Sequence, residues 1–423
     1  MGGHSLAAIL ILAFCSSAQS SSLRTFTLQR ECSGFEAPLM NNIGYVLSGY
    51  DIYYGNPVPT SGNSLVDPGF RAQIFETEYN GETSADNRYC TPDGLSVLSC
   101  DGNCAFSFNT EIIKGTHSYY NKLTTGAKFD VNAFGGAFGA SQDYDHIKKY
   151  TNNGMNMFTQ SEISCCVYTS ELFTFTPPKF HRNFLGGLST LTDSYDPYIY
   201  RRFLKEFGTH YVNRATMGAL YGEQSMISRE DWTEMTVDGV DIGFYADMSG
   251  LESIPSINGS FTYDKNITDT FHKFTKEQMT YSRGAIPPAD GQHLSWAANT
   301  FDEPHVLTVE LEPIDSLPIA EYISGAVRAN LRMALEGYCS ELKEEGELES
   351  CEPPEPDLPG PKPRVWSTWS NDRKGDDYRP QVRQLCCLLN QSVRNHSYLL
   401  FLRNVLKGSM WKKWIGGLGI LLA

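Results

Sequence analysis

Between residues 196 and 228 the spacing of apolar side chains changes from a helical period to a strand period. Tyr200, Phe203, Leu204 and Phe207 fall at i, i+3, i+4 and i+7, which sets them on one stripe of a helix. Asp196 supplies a capping carboxylate, and Pro197 suits the first turn, where its missing N–H costs nothing. Gly208 ends the helix, because the residue there often takes positive φ. From Thr209 the period is two, and a long strand is predicted, punctuated by Gly218 and Gly222. Glycines inside a strand mark a bend, a bulge or a close backbone approach.

Other stretches alternate as well. Ala127, Phe129, Val131 and Ala133 interleave with Lys128, Asp130 and Asn132, which predicts a two-faced strand. A small-residue run, FGGAFGAS (134–141), a polar run (143–154) and an apolar return (164–175) follow. Val240, Ile242, Phe244, Ala246 and Met248 alternate with Asp241, Gly243, Tyr245 and Asp247. Ile257, Gly259, Phe261 and Tyr263 alternate with Asn258, Ser260 and Thr262, so the two stretches predict one hairpin. Alternation alone fits an ordinary half-buried hairpin equally well. A strand is predicted over 305–311. A helix is predicted from Pro318, with Tyr322, Ile323, Ala326, Val327 and Ala334 at helical spacing and polar Asn330 on the same face.

Composition narrows the reading. The chain has 423 residues and a net charge of −15, which argues against nucleic acid as a partner, since that needs clustered cations. Residues 1–20 resemble a secretory signal: 6–14 form an apolar core too short to span a bilayer, followed by small residues suited to cleavage. Removing Cys15 with that signal leaves an even set of cysteines, which predicts disulfides in an exported chain. The candidates are Cys32, Cys90, Cys100, Cys104, Cys165, Cys166, Cys339 and Cys351, and their pairing is open. No CxxC or nearby HxxxH suggests a zinc site, and no metal or cofactor is expected. Glycosylation sequons begin at Asn258, Asn266, Asn390 and Asn395.

Tyr200 followed by Phe207-Gly208-Thr209-His210-Tyr211 fills every position of the signature of the membrane attack complex/perforin (MACPF) family, which the chain resembles over roughly residues 40–340. GYDIYYGNP (49–57) and VDPGFRAQIFETEY (66–79) are similar to the N-terminal segments of the sea-anemone and mollusc-egg toxins of that family. The resemblance implies an α+β fold: a bent, mainly antiparallel four-stranded sheet with two flanking helical clusters. It also implies oligomeric pore formation on a lipid membrane by convertible segments that insert as β-hairpins. Phe129, Val131, Ala133, Val240, Ile242, Phe244, Ala246 and Met248 would then face lipid, and Gly218 and Gly222 would let the sheet unbend. The sequons at Asn258 and Asn266 cut against insertion, because a glycan is not carried cheaply through lipid.

The domain reading is a signal over 1–20, the MACPF domain over 21–338, a Cys-bracketed acidic loop and Pro-rich linker over 339–363, and a tail over 364–423. That tail carries ten basic and three acidic residues and closes on MWKKWIGGLGILLA. It suits either a membrane-surface contact or a poorly ordered end. No GxSxG, HExxH or Cys–His arrangement stands out, so the chain is not read as an enzyme. Two functions remain side by side: a secreted pore-forming homo-oligomer, and a secreted non-lytic matrix or signalling protein whose acidic body binds calcium mineral or cationic matrix.

Overall fold

The computed structural model describes residues 30–32, 35–37, 39–58, 67–100, 106–152, 154–173, 175–232, 265–286 and 299–357. The chain divides into two units, Met1–Pro363 and Arg364–Ala423, and every described residue belongs to the first. The expectations for residues 1–20, for Val240, Ile242, Phe244, Ala246 and Met248, for Cys104, for Asn258, Asn390 and Asn395, and for the tail therefore lie outside the described residues.

In chain order the elements are β1 (Arg30–Cys32), β2 (Phe35–Ala37), β3 (Ser48–Tyr50), β4 (Phe70–Gln73), β5 (Leu95–Ser99), β6 (Phe106–Ile113), α1 (Thr116–Gly126), β7 (Ala127–Lys128), α2 (Gln142–Thr151), β8 (Asn156–Leu172), α3 (Arg182–Thr190), α4 (Pro197–Phe207), β9 (His210–Ser228), α5 (Lys265–Phe274), β10 (Thr275–Arg283), β11 (His305–Pro313) and α6 (Gly325–Glu344). The helix α4 and the strand β9 follow the sequence pattern closely. Asp196 accepts the Tyr198 N–H at 3.0 Å, and Tyr200, Phe203, Leu204 and Phe207 are the buried stripe.

The two long strands β8 and β9 form the spine, paired antiparallel from Asn156–Ser228 to Glu171–Arg214. The outer edge of β8 carries β6 and then β5, end to end. The outer edge of β9 carries β10 along Leu220–Ile227 and β11 along His210–Gly218. Four long ribbons result, antiparallel throughout, with β7 added parallel to β11 and β3 beside Tyr211 and His210. The fold is thus α+β: α1 and α2 connect β6 to β8, α5 lies between β9 and β10, and α3, α4 and α6 pack at the opposite end. One continuous core runs through the molecule, and a smaller cluster of Met157, Ile227, Trp232 and Phe271 lies beside α5.

The predicted strand over 127–133 shrinks to Ala127 and Lys128. The Asp130 carboxylate accepts the Asn132 N–H at 3.0 Å and the Asp130 carbonyl accepts the Ala133 N–H, so a local turn wins over a ladder. Phe129 swings inward against Phe138, whereas Val131 and Ala133 are exposed. The last helix starts at Gly325, not Pro318, because the Ser324 hydroxyl caps the Val327 N–H at 3.1 Å while Ile319 is buried in the preceding turn. Asn330 is no blemish on its face: its amide donates to the Thr192 and Asp193 carbonyls and ties α6 to the loop before α4.

Candidate functional site

The signature residues meet at the turn from α4 into β9. Gly208 has φ of 85°, and a Cβ there would lie 2.5 Å from the Tyr50 carbonyl carbon. Thr209 knits the turn to its neighbours. Its N–H donates to the Tyr50 carbonyl, its carbonyl accepts from Ile314, and its hydroxyl accepts the Ile52 N–H at 3.1 Å. Tyr200 donates to the Thr192 carbonyl at 2.8 Å, Phe207 packs edge-on against Phe184, and Tyr211 lies edge-on to Phe75. Segment 49–57 therefore works as the other half of the signature. Asp51, fully buried, accepts from Arg71 (3.3 Å), Tyr338 (3.1 Å) and the Tyr53 N–H (3.2 Å). Burial pushes its carboxyl up, and Arg71 pulls it back.

His210 completes the junction. It is wholly buried, with Nδ1 2.8 Å from the Thr209 hydroxyl and its ring edge-on to Phe134 and Phe129. Burial lowers its pKa from 6.5 to about 3, so the imidazole is neutral in the folded protein. The unfolded chain takes up a proton below 6.5 that the folded chain refuses until about 3. Stability from this group is full above pH 6.5 and declines as pH falls through that window, by about 1.4 kcal/mol per unit. Thermal unfolding of wild type and His210→Gln at pH 7.5 and 5.0 should show a destabilisation on acidification that is about 2 kcal/mol smaller in the variant. Parallel losses in both would remove His210 from the pH response.

The segment 114–155, between β6 and β8, lies over a polar stretch of the sheet. Lys122 of α1 is buried, 3.2 Å from Glu162 of β8 and 3.4 Å from Glu111 of β6. Tyr281 of β10 also donates to Glu162, and its ring fills the space over Gly222. Next to Glu111 in the same cross-strand row stand Gln160 and Gln224, both fully buried, with amides that have no hydrogen-bond partner among the described residues. Such a row is unusual beneath a helix, since buried polar groups are nearly always paired.

The sheet is interrupted along one line. The long strand β8 shifts register between Cys166 and Tyr168. Gly218 sits opposite Cys166, and at the same level the pairing along β9 passes from β10 (Arg283 with Leu220) to β11 (His305 with Gly218). A Cβ on Gly218 would fall 1.9 Å from the Cys165 carbonyl oxygen, so the spine closes there only around glycine. Gly222, by contrast, sits in an unbroken ladder and makes room for Tyr281.

Cys100 is bonded to Cys166 at this line, and Cys339 to Cys351 at the end of α6. Cys90 and Cys165 are disulfide-bonded too. Cys32 lies in β1, and Asn266 lies in α5 within the second connecting segment. Sequence reasoning missed Asp51, Arg71 and Tyr338, the row of Glu111, Gln160, Gln224 and Glu162, and the contacts of residues 345–357. The only local hint was that last stretch's dense acidic charge. Among the described residues no helix is long and apolar enough to cross a membrane, and no cluster of three or more metal-ligating side chains occurs.

The MAC/Perforin domain model matches residues 33–348. The complement component C8 alpha chain of Oryctolagus cuniculus is 23% identical over 310 residues, covering 65% of this chain and 50% of that one. The chain thus spans about half the length of this curated relative. Among solved structures, GNIP1Aa from Chromobacterium piscinae matches with a TM-score of 0.50 at 15% identity, over 73% of this chain and 57% of that one. Astrotactin-2, described as a perforin-like membrane protein involved in neuronal development, matches with a TM-score of 0.36 at 15% identity, over 69% and 97%. The domain-model match carries the family and the GNIP1Aa likeness the fold, and neither carries the narrower likeness to sea-anemone and mollusc-egg toxins.

Proposed function

The chain belongs to the MAC/Perforin domain family, and from that premise we propose that it is an exported pore-forming protein that assembles as a ring on a lipid membrane. The observation that carries this reading is where the two connecting segments leave the sheet. Ile113 pairs with Phe158, Asn156 with Ser228, and Thr275 with Ile227, so segments 114–155 and 229–274 both start and end at one end of the spine. Straightening either one only prolongs ladders that already exist. Each is long enough for two strands of about ten residues, the length that crosses a bilayer. The polar patch of Glu111, Gln160, Gln224 and Glu162, in which both glutamines are fully buried, supports the same reading, because a polar face is costly under a helix and natural on the wall of a water-filled lumen.

An isolated hairpin leaves unpaired backbone groups in lipid, so only a closed ring of many copies can insert. In that state Phe129, Val131, Ala133, Val240, Ile242, Phe244, Ala246 and Met248 face lipid, and Lys128, Asp130, Asp241 and Asp247 face the lumen. Gly218, on the line of interruption, is where the spine straightens. The disulfides suit an oxidising, extracellular setting.

Dye release from vesicles of phosphatidylcholine, phosphatidylserine and cholesterol tests the proposal. Phe244→Lys puts an ammonium toward lipid, costing about 2–4 kcal/mol in each subunit near the midplane, and should abolish release. Asp241→Lys should preserve release and shift ion selectivity toward anions. Equal release by wild type and Phe244→Lys would take this strand out of the pore. A second reading, a non-lytic secreted protein on the same fold, is favoured by the sequon at Asn266, inside the segment that must convert. Full glycan occupancy at Asn266 in protein that leaves every vesicle sealed would establish it over the pore.

A further inference from the structure

Residues 345–357 leave the end of α6, turn back through the Cys339–Cys351 disulfide and run across the first connecting segment. They touch it at several points. The Asp357 carboxylate accepts the His117 and Ser118 N–H groups, both at 2.9 Å, and so caps α1 from 240 and 239 positions away, where Gly115 has no side chain to do so. His117 Nδ1 lies 3.0 Å from the Pro354 carbonyl, and Glu349 pairs with Lys148 of α2. Over the small-residue run, a Cβ on Gly136 would meet the Ser350 carbonyl at 2.7 Å and Cys339 Sγ at 3.1 Å. Between strap and segment remains a cavity of about 650 Å3, lined by Lys114, Lys148 and Arg229 on one side and Glu352, Glu355 and Asp357 on the other. The base is fixed twice, by the disulfide and by Tyr338, which donates to Asp51.

We propose that residues 345–357 are a built-in latch: the strap holds segment 114–155 in its folded, helical form, and its release precedes conversion of that segment. The proposal rests on the pore reading only for what conversion leads to. A β-hairpin cannot form from 114–155 while Asp357 holds the first turn of α1, because that cap requires the helical N–H groups to converge on one carboxylate. The latch combines charge-assisted hydrogen bonds and ion pairs with one apolar anchor, Leu348, which is buried in the core and lies over Gly139, so opening it exposes that side chain. It fits tightly through Gly136 and yet is joined to the segment by no covalent bond among the described residues.

A reversible covalent version of the same contact tests this. A Cβ on Gly115 would lie 3.4 Å from the Asp357 Cβ, close to the ~3.8 Å typical of a disulfide. Gly115 has extended backbone, φ −180°, which any residue adopts. Gly115→Cys with Asp357→Cys, oxidised, should therefore lock the strap, and mild reduction should unlock it in the same protein. Two measurements are made on wild type, the oxidised double variant and Asp357→Ala: dye release from the vesicles named above, and hydrogen exchange of α1 and α2 amides in the free protein. The locked protein should release no dye until reduced and should exchange more slowly than wild type in both helices. Asp357→Ala should release dye faster and exchange about fivefold faster in both, the size of a lost cap. Release by the locked protein at the wild-type rate overturns the latch, as does exchange in α1 and α2 that is equal in all three. If wild type releases no dye, the pore reading fails, and the exchange data alone decide whether the strap restrains the segment.

Discussion

Gly208→Val protein fails to accumulate in folded form, and any that is recovered unfolds well below wild type. The reason is twofold. A β-branched residue at φ of 85° carries strain of about 1–3 kcal/mol by itself. Its Cβ also overlaps the Tyr50 backbone, with N, C and O all within 2.7 Å, and no side-chain rotation relieves a clash with main chain. Moving Tyr50 away breaks the Thr209 N–H bond to its carbonyl and the pairing of β3 with β9. Against a typical domain stability of about 5–15 kcal/mol, the combined loss removes the folded state or leaves little of it. Gly186→Ala is the matched control: nothing lies within 4 Å of a Cβ at that helical position, so the substitution should be neutral or stabilising by up to about 1 kcal/mol. The yield of folded protein and thermal unfolding of both variants decide it. A Gly208→Val protein with the wild-type melting temperature would falsify the account of this turn.

Asp51→Ala costs about 3 kcal/mol and acts at a distance. The carboxylate is wholly buried and takes three donors, so its removal leaves the Tyr338 hydroxyl and one arm of Arg71 without their partner. Arg71 keeps some solvent and its contacts with the Pro68 and Phe70 carbonyls, which holds the cost below that of a fully stranded cation. Tyr338 adjoins Cys339, the base of the strap, so the same variant should loosen residues 345–357 as well as the loop after β3. Tyr338→Phe alone should cost about 1 kcal/mol, and the double variant less than the sum, because the two share one bond. Thermal unfolding of the four proteins reads the coupling. Strict additivity would mean that Asp51 and Tyr338 do not act together.

What was legible in the sequence was local in origin. The helix from Pro197 to Phe207, its Asp196 cap, the Gly208 stop and the strand beyond are each fixed by residues within one or two turns of the element itself. The strand predicted over 305–311 appears as β11 for the same reason. Where a nearby side chain offered the backbone a competing hydrogen bond, the periodic pattern lost. Asp130 took the Asn132 N–H and ended a strand after Lys128, and Ser324 took the Val327 N–H and moved a helix start from 318 to 325. Tertiary structure alone decided the candidate site. That Phe129 and Phe134 close on His210, that Lys122 stands between Glu111 and Glu162, and that Asp357 caps a helix 240 positions earlier are facts of long-range approach. Such contacts leave no period in the chain, because a carboxylate satisfies a donor equally well from any sequence distance once the sheet and its disulfides have brought the two together.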